Sequence, residues 1–122
     1  MRRFLFLLVI ACASVGCSSP NNAKQAIREY LKDQISNPET YNAGVIELVS
    51  KGSIDVAETK YWRNIPEVGR IDVVLIRHEF YYENHLGMIV DNAYYFYMSP
   101  KMDYVYYAHP ATGGPLFTLQ EE

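Results

Sequence analysis

Three runs rich in β-branched and aromatic residues, at positions 71–83, 88–98 and 104–107, follow one another with only a few turn residues between them. Connections that short join antiparallel neighbours, because a parallel crossover needs a dozen or more residues. The first connection, His85-Leu86-Gly87, fits a three-residue hairpin loop whose last position needs positive φ, which glycine adopts without steric cost. Asn84 then stands opposite Met88. The second connection is either a two-residue loop at Pro100 and Lys101 or a four-residue loop over residues 99–102. Both set Tyr97 opposite Tyr104 and Tyr95 opposite Tyr106.

Side chains alternate between the two faces of a sheet, so register assigns the faces. One face carries Ile76, His78, Phe80 and Tyr82, then Val90, Asn92, Tyr94 and Phe96, then Val105 and Tyr107. The other carries Leu75, Arg77, Glu79, Tyr81 and Glu83, then Ile89, Asp91, Ala93, Tyr95 and Tyr97, then Tyr104 and Tyr106. The first face needs a cover, and residues 22–35 supply it. Asn22 with Gln25 has the form of a helix start, and Ala23, Ala26, Ile27, Tyr30, Leu31 and Ile35 recur at three and four to make one apolar stripe. Pro38 ends the helix by forcing the residue before it out of helical geometry. Residues 44–50 read as a first strand and residues 54–59 as a short edge strand within the irregular stretch 52–69. The glycine- and proline-containing tail after His109 reads as irregular. The expected fold is α+β, one N-terminal helix packed on an antiparallel sheet of about four strands. With 122 residues, 49% hydrophobic and 20% charged, the chain holds one such domain.

The first sixteen residues are of another kind: Arg2 and Arg3, an apolar run over residues 4–10, then mostly small residues. That is a secretory signal, shorter than the roughly 20 residues a bilayer span needs. The small residues end at Cys17-Ser18-Ser19-Pro20, which resembles a bacterial lipoprotein signal, although Ser14 stands where an aliphatic residue is usual. The resemblance implies acylation of Cys17, with Cys12 in "VIAC" as the second candidate. The organisation expected is a signal at 1–16, an acylated cysteine with a short tether at 17–22, and the domain at 23–122. The mature chain then has no other cysteine, hence no intramolecular disulfide or thiol chemistry. Losing Arg2 and Arg3 leaves nine basic residues against 14 acidic ones, a net charge of −5. Nucleic acid and anionic headgroups are therefore poor partners. The lipid anchor makes the membrane a partner, and the place implied is the bacterial cell envelope, by resemblance the outer membrane.

Two constellations are candidates for a site. Tyr95, Tyr97, Tyr104 and Tyr106 cluster on the face away from the helix, in line with Arg77; flat rings with hydroxyl rims suit a protein or glycan partner, and equally suit cross-strand packing. His78 beside Tyr94, with Tyr107 one strand on, is the alternative: a small-ligand or hydrolytic pocket between helix and sheet. The ordinary reading of His78 is a hydrogen-bonded core residue. His78, His85 and His109 lack metal-site spacing, no serine sits in a glycine-flanked elbow, and "GG" at 113–114 opens no phosphate loop. No metal and no cofactor are expected, and oligomeric state is left open.

Three stretches taken together, "NPETYNAGVIEL", "HEFYYENHLGMIVDN" and "YYFYMSPKMDYV", resemble a group of small lipoproteins typical of Bacteroidetes. His78, Phe80, Asn84, Leu86 and Gly87 fall on that group's pattern, while Tyr82 replaces its commoner basic residue. The resemblance implies a helix on a curved antiparallel sheet, as in cystatin-like or NTF2-like domains, and implies no activity. The function expected is a membrane-anchored binding or scaffolding module acting through the tyrosine-rich face.

Overall fold

A computed structural model describes residues 18–121. The elements in chain order are α1 (Ser18–Leu31), a 3-10 turn (Pro38–Thr40), β1 (Asn42–Asp55), a second 3-10 turn (Val56–Glu58), β2 (Arg70–Glu83), β3 (Ile89–Met98), β4 (Val105–Pro110) and β5 (Gln120–Glu121). The strands form one antiparallel sheet in the order β4-β3-β2-β1-β5. The class is the α+β one expected, with a fifth strand added because the end of the tail pairs with Gly52 and Ser53. The signal segment and the acylation of Cys17 or Cys12 lie outside the described residues.

α1 starts at Ser18, so the stretch expected to be a tether is helical as far as Asn22. Pro20 does not oppose this, because the first turn's N–H groups have no intrahelical acceptor to lose. Ala23, Ile27 and Leu31 are fully buried at four-residue spacing, and Ala26 and Tyr30 pack beside them. Burying a side chain such as Ile27 contributes about 1.5–3 kcal/mol. The helix ends at Leu31, short of Ile35, yet the Leu31 carbonyl accepts both Gln34 N–H at 2.8 Å and Ile35 N–H at 3.1 Å, so one loose turn continues.

The β2–β3 register is the one expected, from Val74 opposite Met98 to Glu83 opposite Ile89. Gly87 has φ 80, as its loop position requires. The β3–β4 register is not the one expected. The loop runs one residue later, over Pro100 to Asp103: Ser99 N–H donates to Tyr104 O at 2.9 Å, and the Ser99 hydroxyl accepts from Asp103 and Tyr104 N–H. Met102 sits inside it at φ 60, a conformation side chains with Cβ seldom adopt. A register shift after Met98 opposite Val105 then leaves Tyr106 as the extra residue, so Tyr97 faces Tyr107 and Tyr95 faces His109. One extra residue reverses the faces beyond it. Val105 stays under the helix, whereas Tyr107 moves to the far face and Ala108 takes its place.

That far face has a core of its own. Asp55 caps the second 3-10 turn through Ala57 N–H at 2.9 Å, and the loop that follows folds back over the sheet. There Ile54, Trp62, Val73, Leu75, Tyr97 and Leu119 are buried together, with Tyr95, Tyr106, Tyr107 and Phe117 packed around them. The sheet is therefore covered on both sides at its β3–β4 end.

Candidate functional site

The tyrosine platform is not assembled as a surface. Tyr97 is 0% exposed, beneath the Trp62 ring at 5.0 Å between centroids. Trp62 also stacks within 14° of Tyr106 and within 6° of Tyr107, and meets Phe117 edge-on at 5.3 Å. The Tyr97 hydroxyl donates to Phe117 O at 2.8 Å and accepts from Phe117 N–H at 2.9 Å, which closes it to any outside partner. Burial pushes the Tyr97 hydroxyl above its usual range. Tyr95 is half-buried against His109, whose Nε2 accepts from Leu116 N–H at 3.2 Å. Arg77 donates to Glu79 at 2.8 Å with Glu47 3.7 Å away, and that hydrogen bond raises its pKa. Tyr104 leaves the set and lines a cleft beside the helix. The chain's own loop and tail are the cover, which alternation along the strands could not register.

The alternative pocket is not assembled either. His78 and Tyr94 are paired on the helix face, but Tyr107 lies across the sheet. His78 is 0% exposed, wedged against Phe80 and Phe96. Its Nδ1 lies 2.9 Å from Val45 O and its Nε2 2.6 Å from the Tyr41 hydroxyl. A carbonyl only accepts, so Nδ1 carries the proton and Nε2 accepts from the tyrosine. The Val45 carbonyl is available because β1 bulges between Ala43 and Ile46. Gly44 permits the bulge: a Cβ there would stand 2.6 Å from the Glu79 carbonyl oxygen. Burial lowers the His78 pKa against the opposing hydrogen bond to Val45, and burial pushes Tyr41 up to about 12 against the opposing Arg28. A general base works best near the operating pH and within reach of substrate. This pair is buried and mutually hydrogen-bonded, and it acts as a strut between β2 and the 3-10 turn before β1.

The motif residues outside that strut converge elsewhere, on the tip of the β2–β3 hairpin. Asn37, at φ 48, donates from Nδ2 to Asn84 O at 2.8 Å and to Glu83 O at 3.4 Å. Thr40 donates from Oγ1 to Asn37 O at 2.7 Å and accepts from Glu83 N–H at 2.8 Å. Asn84 Oδ1 accepts from Leu86 N–H at 2.9 Å and Met88 N–H at 3.1 Å, while Asn84 O accepts from Gly87 N–H at 2.9 Å. The turn after α1 thus clamps the hairpin from below, and Asn84 organises it from within. On this fixed tip stand Leu86, 70% exposed, Met88, 59%, and Ile89, 61%. The signal for this was present in "HLGMI", four apolar or turn residues after the histidine, but it served only to place the turn.

A second opening lies at the other end of α1, between its first turns and the β3–β4 loop. It has a volume of about 460 Å³, and Gln25, Tyr30, Arg63, Asp103 and Tyr104 are among its walls. The guanidinium of Arg63 stacks 4.8 Å from the Tyr30 centroid, and Arg63 N–H donates to Tyr106 O at 3.0 Å. Among the described residues no three His, Cys, Asp or Glu side chains converge as a metal site would require. Nor is any helix among them long and apolar enough to cross a membrane. Compared with protein-family models, curated proteins and solved structures, the chain has no significant match in any of the three.

Proposed function

We propose that this chain is an envelope lipoprotein, held in the membrane through an acyl group on Cys17, whose cystatin-like or NTF2-like domain binds a protein partner through the β2–β3 hairpin tip. The observation that carries the reading is the combination at the tip: three large apolar side chains left to solvent on a backbone that Asn37, Thr40 and Asn84 hold in place. Contiguous exposed apolar groups mark interaction sites, and a fixed geometry lowers the ordering cost of binding. The acidic residues Glu83 and Asp91 flank the tip, so a partner with an apolar socket and a basic rim suits it.

The anchor is consistent with this placement. α1 begins directly after Cys17 and its 14 residues rise about 21 Å toward the Asn37 clamp. With an anchor at Cys17, the length of α1 would separate the membrane from the tip, which supports a protein rather than lipid as its partner.

In-cell photocrosslinking from position 86 tests the reading, with the exposed position 67 on the opposite loop as control. Discrete adducts from position 86, lost when Met88 and Ile89 are replaced by serine, are expected. A position-86 probe that crosslinks no more than position 67 would rule the tip out.

A further inference from the structure

The cleft at the other end of α1 is separate from the hairpin tip. Two opposite charges face it and do not neutralise each other. Arg63 has no carboxylate within 4.0 Å among the described residues, although Asp103 and Glu29, the latter 3.7 Å from Lys32 at the exposed rim, line the same cleft. Each is held in place by other means. Arg63 is fixed by the stacking on Tyr30 and by its backbone bond to Tyr106, with Trp62 buried next to it. Asp103 is held by the Ser99 hydroxyl, which donates to Oδ1 at 2.6 Å, and Oδ2 has no donor among the described residues. The Arg63 guanidinium, 4.8 Å from the Tyr30 centroid, makes no side-chain hydrogen bond among the described residues, so its N–H groups are open to an outside acceptor. In the same cleft, a carboxylate with one oxygen open is an acceptor for a cation.

We propose that this cleft binds a zwitterion, an α-amino acid or a short peptide with free ends, its carboxylate on Arg63 and its ammonium on Asp103 with Glu29. The volume of about 460 Å³ suits a ligand of that size, and the rings of Tyr30 and Tyr104 give an apolar wall for its side chain. The arrangement selects by charge. A simple anion meets Arg63 but is repelled by Asp103 and Glu29, a simple amine meets the reverse, and a neutral sugar gains from neither ion. Only a molecule carrying both signs makes both charge-assisted contacts, which are the strong ones.

The test is an amide-resolved NMR titration of the full chain at neutral pH with four probes: L-leucine, trialanine, 4-methylpentanoate and 3-methylbutylamine. Leucine or trialanine should give saturable shifts at Gln25, Arg63 and Asp103, with affinity at least about tenfold above either half-molecule. Which of the two binds separates a free amino acid from a peptide source. Arg63→Ala and Asp103→Asn should each lower that affinity about tenfold while the remaining amide spectrum, and hence the fold, is unchanged. Arg63→Lys, which keeps the charge and loses the fork, should fall between. Half-molecules binding as well as the zwitterions, affinity untouched by Asp103→Asn, or no shift from any probe would overturn the proposal.

Discussion

The β3–β4 end of the sheet and the β2–β3 hairpin tip make an instructive pair. The first holds Tyr95, Tyr97, Tyr106, Tyr107, Trp62 and Phe117, a concentration of rings that by composition alone invites a partner. The Tyr97 hydroxyl and the His109 imidazole are engaged by the tail, and the rings pack on one another. The second holds no tyrosine, tryptophan or phenylalanine, only Leu86, Met88 and Ile89 beside His85, yet no described residue folds over those three. Aromatic content measures how much surface a segment can bury, whereas a binding surface is what is left after the chain's own loops have chosen their places.

Mutation should separate the two regions sharply. The largest effect is expected from Trp62→Ala, which opens a cavity among Tyr97, Tyr107 and Phe117 and should cost about 3–5 kcal/mol in urea unfolding. That is a large part of the roughly 5–15 kcal/mol stability of a domain this size. A loss under about 1 kcal/mol would mean that the loop is a loose flap and that the tyrosines beneath it are accessible after all.

Tyr41→Phe comes next, leaving buried His78 Nε2 without its donor, at a cost of about 1–3 kcal/mol. The same strut sets a pH dependence with two limbs. His78 has a folded pKa below its ordinary 6.5, so below that value the unfolded chain binds more protons and stability falls as pH drops. Tyr41 is raised from 10.0 to about 12, so its contribution is complete below pH 10 and is lost as pH rises through 12. Tyr41→Phe should therefore shrink the alkaline limb, to which the raised Tyr97 hydroxyl also contributes, and keep the acid one. Wild-type protein that grows more stable between pH 7 and pH 5 would contradict a neutral, buried His78.

The smallest effect belongs to the tip: Leu86→Ser with Ile89→Thr should change stability by no more than about 0.5 kcal/mol, since neither side chain is packed. With the probe in place at position 86, Met88→Ser with Ile89→Ser should abolish the position-specific crosslinks. A destabilisation comparable to that of Trp62→Ala would make the tip part of the core and erase the difference between the two regions.

Much of the fold was legible in the residues. Helical periodicity identified Ala23, Ile27 and Leu31, and the "HLG" loop set every β2–β3 pair, because a short loop with one glycine leaves few geometries. The β3–β4 register was not legible. It depends on the Ser99 hydroxyl holding a loop in which Met102 adopts positive φ, and on an extra residue at Tyr106 that no alternation pattern marks. That single residue is why Tyr107 was assigned to the wrong face, and with it the pocket around His78 dissolved. Asn37, Thr40 and Asn84 stand in the stretches that carry the resemblance, but their meeting across 47 positions leaves no mark in the chain.

What the sequence by itself determined is the local grammar: one amphipathic helix, a meander of antiparallel strands, and which residues on β2 and β3 share a face. These follow from short-range rules, the 3.6 and 2.0 periods and the few geometries of a tight loop. Only the tertiary structure decided which sheet face is surface. The segment around Trp62 and the tail around Leu119 reach the far face from distant positions, and their docking is a matter of burying apolar area, which is non-directional and leaves no periodic mark in the chain.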